Sequence, residues 1–280
     1  MDPLQFVSTA RVAIVAGKGG VGKTTVTAVL ARAAIRRGLR VLVVELDGKP
    51  TLDDLLPGVD VQHISASAAL GEYLDTHGLS RVAKRLASSG IIDVVATASP
   101  GIDDIVVLGK VKQLERSGRY DLVLVDGPAA GHAITFLLAA KGLLATVRGG
   151  PIAAQATDVA EMLADPTRCQ VVLVTLPETT PVNEAVETAA ALRDRVGVHL
   201  SPVVVNAVDH GPLLQADAAP EGSAMRAAAE FRNARRSLHA TEQARLADEL
   251  DLPQLTLPVV PGSVLDAEAI DHLADQWDPR

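Results

Sequence analysis

Between Arg11 and Thr25 the chain reads RVAIVAGKGGVGKTT, and no other stretch limits its fold as tightly. The apolar run Val12 to Ala16 has the length and composition of a buried strand. It empties into Gly17, Lys18, Gly19, Gly20, Val21, Gly22, Lys23, Thr24 and Thr25, after which apolar residues recur at helical spacing. G-x-x-x-x-G-K-T between a strand and a helix is a phosphate-cradling loop in the setting its chemistry requires. Glycines let successive backbone N–H groups point at phosphate oxygens, where a Cβ would clash. The helix opening near Gly22 aims the positive end of its dipole at the same point. Lys23 is expected to reach the β- and γ-phosphates, and the Thr24 hydroxyl to ligate Mg2+. Gly17, Gly19 and Gly22 also fit G-x-G-x-x-G, with Glu45 or Asp47 as a ribose acid. A dinucleotide site has no use for the Lys23–Thr24 pair, so a nucleoside triphosphate is the expected ligand.

Downstream, short apolar runs alternate with helical patterns. Val26 to Arg37 reads as a helix stopped at Gly38, and VLVV before Glu45 and Asp47 as a parallel strand buried on both faces. Thr51 to Gly90 reads as mostly helical, an elaboration that carries no chemistry; His63 and His77 have no second ligand at metal spacing. Ile91 to Ala98 fits a strand or a buried helical piece. Tyr120 to Val125 is another buried strand, and it delivers Asp126 beside the phosphate loop, where a carboxylate can hold a Mg2+-bound water. Helices are expected at about 103–116, 133–145, 152–164 and 180–195, and strands at 171–174 and 200–205, the latter ending at Asn206. A long helix with Phe231, Leu238, Leu246 and Leu250 on one face, a strand at 255–260 and an acidic helix from Ser263 close the chain. The alternation predicts an α/β fold, a mostly parallel sheet covered by helices on both faces, as one domain over residues 1–280.

Composition narrows the partners. Aromatic residues are only 2% of the chain, which disfavours a base-stacking surface, and the net charge of −8 argues against binding nucleic acid or an anionic membrane. Cys169 is the only cysteine, so an internal disulfide and a cysteine-rich metal site are both ruled out. MDPLQFVSTA lacks the layout of a signal peptide, and Ile134 to Val147 is too short and too interrupted to span a bilayer. A cytoplasmic protein with no integral membrane segment is expected.

Lys18, directly after the first glycine, is unusual for such loops. K-G-G-x-G-K-T-T resembles the deviant Walker ATPases, and the chain as a whole resembles the arsenical-pump ATPase family, which includes the tail-anchored-protein-targeting ATPases. The resemblance implies a P-loop ATPase with ATP and Mg2+ as ligands. It further implies a homodimer or a heterodimer with a related ATPase subunit, in which Lys18 crosses to the partner's phosphates, and a protein client. Asp47 falls on the switch I aspartate that handles the attacking water, although Gly48 replaces the family's proline. Asp126, Gly131 and His132 match switch II, with Pro128 one place early and both outer threonines missing. Asn206 falls on the asparagine that contacts adenine, and Pro258 and Val260 on the loop that covers the base. Several cysteines for arsenite, a Cys-x-x-Cys zinc site and a Met-rich client groove are absent from the sequence. Two alternatives stand beside this reading. One is a non-hydrolysing, nucleotide-sensing partner subunit. The other is a MinD/ParA-like positioning ATPase, for which the acidic end DAEAIDHLADQWDPR is poorly suited.

Overall fold

A computed structural model describes residues 4–46, 51–76, 101–260, 262 and 265–277. Asp47 and Gly48, residues 77–90 of the helical elaboration, and the apolar run 91–98 lie outside the described residues.

The strands are β1 (Val12–Gly17), β2 (Val41–Leu46), β3 (Asp60–Ile64), β4 (Leu122–Ala129), β5 (Cys169–Thr175), β6 (His199–Leu200), β7 (Val203–Val208) and β8 (Gln254–Pro258). They form one sheet in the order β3-β2-β4-β1-β5-β7-β8, with β6 paired to β5. Every pairing is parallel. The helices are α1 (Phe6–Thr9), α2 (Lys23–Arg36), α3 (Thr51–Leu55), α4 (Ala66–Thr76), α5 (Ile102–Arg116), α6 (Ala130–Thr146), α7 (Pro151–Ala164), α8 (Thr179–Ala191), α9 (Ala224–Glu249) and α10 (Ala267–Asp275). The expected α/β architecture is therefore the observed one.

Period-two alternation along the strands divides the core in two. Val12, Ile14, Val123, Val125, Val171 and Leu173 face one cluster, built with α4 to α8. Ala13, Val15, Val43, Leu122, Leu124 and Val172 face the other, built with α2, α3 and α10. Both faces of these strands are buried, and that is why they read as unbroken apolar runs. Truncating a fully buried side chain such as Leu124 to alanine costs about 2–5 kcal/mol.

Three sequence expectations are corrected. Asp60–Ile64, inside the stretch read as helical, is a strand at the sheet edge, parallel to β2. On α9, Leu246 is buried but Phe231 and Leu238 are 69% and 44% exposed. The buried face of that helix instead carries His239 and Glu242. Glu242 accepts from Thr179 Oγ1 at 3.0 Å and from Arg245 at 2.6 Å, so a polar network with α8 sets the helix face. Asn206 sits within β7 rather than just after it.

Candidate nucleotide site

The phosphate loop leaves the carboxyl end of β1, the central strand, between β4 and β5. Crevices outside the carboxyl ends of strands are where open α/β sheets bind ligands. Two glycines are sterically required. A Cβ on Gly17 would lie 2.3 Å from the Val174 carbonyl oxygen. Gly22 has φ +89°, and a Cβ there would lie 2.2 Å from Asn206 Nδ2.

Gly22 is also the N-cap of α2, and no side chain caps that end. The first N–H groups of the helix have no intrahelical acceptor and are open to an anion. Lys23 Nζ donates to the carbonyls of Gly17 and Lys18, each at 3.2 Å, which folds the lysine back over the loop. Burial lowers the Lys23 pKa, and the opposing pull of Asp126 is smaller. A desolvated cation at the mouth of open N–H groups is a strong attractor for phosphate.

Asp126, on β4 next to β1, accepts from Thr24 Oγ1 at 2.7 Å and from Thr27 Oγ1 at 3.2 Å. Burial raises its pKa against the two threonine hydrogen bonds and Lys23, which lower it. Thr27 was not singled out from the sequence, although its i, i+3 spacing from Thr24 on one helix face was a usable signal. A hydroxyl and a carboxylate in contact beside the phosphate position form an oxygen donor set of the kind Mg2+ takes together with phosphate and water.

On the other side, Asn206 Nδ2 donates to the Val21 carbonyl at 2.9 Å, tying β7 to the loop. Beside it, Ala207 has φ 57°, and the β7–β8 register shifts between Val205 and Val208. Pro258 pairs with Val208 across β7–β8. Val260, partly buried against the α2-side core, follows on. Gly131 and His132 open α6 directly after β4 and are exposed. The structure thus brings Gly17 to Thr25, Asp126 and Asn206 together.

Lys18 points elsewhere than Lys23. Its Nζ forms an ion pair with Glu184 Oε1 on α8.

Glu45, considered from sequence only as a possible ribose acid, is 5% exposed at the end of β2. It pairs in register with Asp126 on one side and His63 on the other. Its pKa is raised by burial, with His63 opposing, and a backbone hydrogen bond from Thr51 also acts on it.

Cys169 is fully buried in β5, and burial pushes its thiol up to about 12. Native protein should label with a maleimide at least ~100-fold more slowly than denatured protein, because thiolate and access are both lacking. Rapid labelling of folded protein would contradict this placement. Among the described residues no group of three or more His, Cys, Asp or Glu side chains could hold a metal ion. No described helix is long and apolar enough to cross a membrane.

Comparison with known proteins places this geometry. Residues 10–148 match the family model described as anion-transporting ATPase. ATPase BagA of Mycobacterium tuberculosis is 29% identical over 306 aligned positions, covering 92% of this chain and 90% of the relative. An arsenical pump-driving ATPase of Escherichia coli is 32% identical over 202 positions, 68% of this chain and 33% of that longer protein. ATPase get3 of Schizosaccharomyces japonicus is 30% identical over 137 positions, 44% of this chain and 42% of the relative. The chain belongs to the arsenical-pump and tail-anchored-targeting ATPase family.

Proposed function

We propose that this protein is a Mg2+-dependent ATPase that works as a nucleotide-switched dimer, with itself or with a related subunit, and acts on a protein client. The observation that carries the reading is the 2.7 Å contact between Thr24 and Asp126, made directly beneath the open amino end of α2 and next to Lys23. Loop N–H groups from Gly19 to Thr25 and Lys23 hold the phosphates and stabilise charge on the transferring phosphoryl group. Thr24 and Asp126 hold Mg2+, which when bound neutralises phosphate charge. Asp47 handles the attacking water, and Gly131 and His132 form the segment that responds to the γ-phosphate. Asn206, Pro258 and Val260 form the adenine end.

Calorimetry with Mg-ATP and Mg-GTP, followed by steady-state turnover, tests this. ATP should bind at least ~10-fold more tightly than GTP, because a site built to hydrogen-bond one base leaves groups unpaired with the other. Asn206→Ala should narrow that preference. Equal affinities in the parent protein would remove Asn206 from the adenine role.

Gly48 in place of the family's switch I proline favours one second reading, a subunit that senses nucleotide without hydrolysing it. Tight ATP binding with no turnover would select that reading.

A further inference from the structure

Strand β7 does not run straight to its end. Val205 pairs with Thr256 and Val208 with Pro258, so three steps on β7 match two on β8 and one residue is extra. Val203 and Val205 face the core built with α4 to α8, and Val204 faces the α2-side core. Strict alternation would send Val208 to the α2 side, yet it is buried with Val203 and Val205. The extra residue is Ala207, at φ 57° the one non-glycine residue with positive φ among the described residues. Left-handed backbone disfavours a residue with a Cβ, and a bulge re-aims the side chains beside it. Here Asn206 keeps the α2 side, in line with Val204, and its Nδ2 donates to the Val21 carbonyl at 2.9 Å.

The approach is close. A Cβ on Gly22 would lie 2.2 Å from the same nitrogen, so the amide rests against the Val21–Gly22 peptide itself. In a planar trans peptide the carbonyl and the N–H point in opposite directions. Holding the Val21 carbonyl toward β7 therefore fixes the Gly22 N–H facing away from it. Gly22, at φ +89°, has no Cβ to limit rotation of that peptide, so the restraint comes from Asn206.

We propose that the Asn206–Ala207 bulge is a strut for the phosphate loop: Asn206 is a positioning residue that sets the Val21–Gly22 peptide for phosphate, whatever base the nucleotide carries. The inference rests on the functional reading above and gives Asn206 a second task beside the adenine contact. A carboxamide has two N–H donors and an acceptor oxygen, so one side chain can hold the loop and meet a base together. Asn206 acts on phosphate through the Gly22 N–H and does not touch it.

The test uses the full chain and inorganic tripolyphosphate, which carries the phosphates of a nucleotide without base or sugar. Its affinity in Mg2+ is read by calorimetry beside those of ATP and GTP. Asn206→Ala should weaken tripolyphosphate and GTP by the same factor, about three- to tenfold, because one hydrogen bond to the loop is lost. ATP should weaken further, by the adenine contact. Asn206→Leu keeps the branching without the donor and should match Asn206→Ala; it carries the comparison if the alanine variant folds poorly by circular dichroism. Ala207→Val places a β-branched side chain at positive φ and should also weaken tripolyphosphate, while Ala207→Gly, free to take that φ, should lose far less. Parent-like tripolyphosphate affinity in folded Asn206→Ala or Asn206→Leu would overturn the strut and leave Asn206 as a base contact only. So would a parent that binds ATP but no tripolyphosphate, since its loop would not hold phosphate unaided. A parent that binds neither would instead overturn the functional reading, and the strut with it.

Discussion

Asp126→Asn should abolish most ATP turnover while leaving the apo protein at least as stable as the parent. The two effects have one cause. Asp126 is largely buried, and burial raises its pKa, so its charged form is disfavoured in the folded apo chain relative to the unfolded one. For a carboxyl whose folded pKa lies above its unfolded value, stability falls as pH rises through that range. At neutral pH the charge is therefore a net cost in the absence of its cation, and an amide of the same shape removes it. The amide can still meet the hydroxyls of Thr24 and Thr27, which now lie 2.7 and 3.2 Å from the carboxylate oxygens. It cannot supply the anionic oxygen that the Mg2+ shell needs. Loss of one preorganised electrostatic contact at a reacting phosphate costs roughly 10²–10³ in turnover. The expected result is that fall in kcat, with ATP affinity in EDTA preserved and a thermal midpoint equal to or above the parent's. A variant that keeps more than about a tenth of parental turnover would remove Asp126 from the metal role.

The parts of this molecule that were legible in its sequence are those buried on both faces or fixed by close spacing. Strands β1, β2, β4 and β5 each stand between two neighbours and two helical layers, so almost every position is apolar. The phosphate loop is legible because its chemistry is local: glycines, Lys23 and Thr24 serve one anion from adjacent positions. Strand β3 was not, because it has one neighbour in the sheet and its sequence, DVQHI, has a single buried residue, Ile64. With no second neighbour to desolvate it, nothing forced an apolar pattern. The His63–Glu45–Asp126 row was hidden for a related reason. Its members come together through strand register, which no spacing along the chain encodes. The face of α9 was misread because apolar side chains were assigned to the core, while the Thr179–Glu242–Arg245 network turned Phe231 and Leu238 outward. Tertiary placement, which no local pattern along the chain encodes, decided each of these cases.

The last expected result concerns Lys18 and a second subunit. Two dead variants, Lys18→Ala and Asp47→Asn, should regain activity when mixed. In this chain Lys23 already covers its own loop, bonded to the Gly17 and Lys18 carbonyls, while the Lys18 side chain is turned away onto Glu184 of α8. That ion pair is about one-third exposed on both sides, at 35% and 38%. Pairs of that exposure contribute only about 0–1 kcal/mol, so a stronger anion can displace Glu184 at little cost. Two lysines from one loop would also crowd the same oxygens, whereas a lysine from a partner adds its charge only when the dimer closes. A trans cation of this kind can supply orders of magnitude in rate, which makes hydrolysis conditional on assembly. In a mixed dimer the Lys18→Ala subunit keeps its own Asp47 and receives Lys18 from its partner, so one of the two sites is complete. With random exchange between equal amounts, half the dimers are mixed, and activity should reach about a quarter of the parent's. Each variant alone should remain near background. Mixed dimers that form in ATP, shown by native mass spectrometry, and yet stay inactive would leave Lys18 as an ordinary loop lysine paired with Glu184. Recovery to about a quarter would assign it to the partner's phosphates.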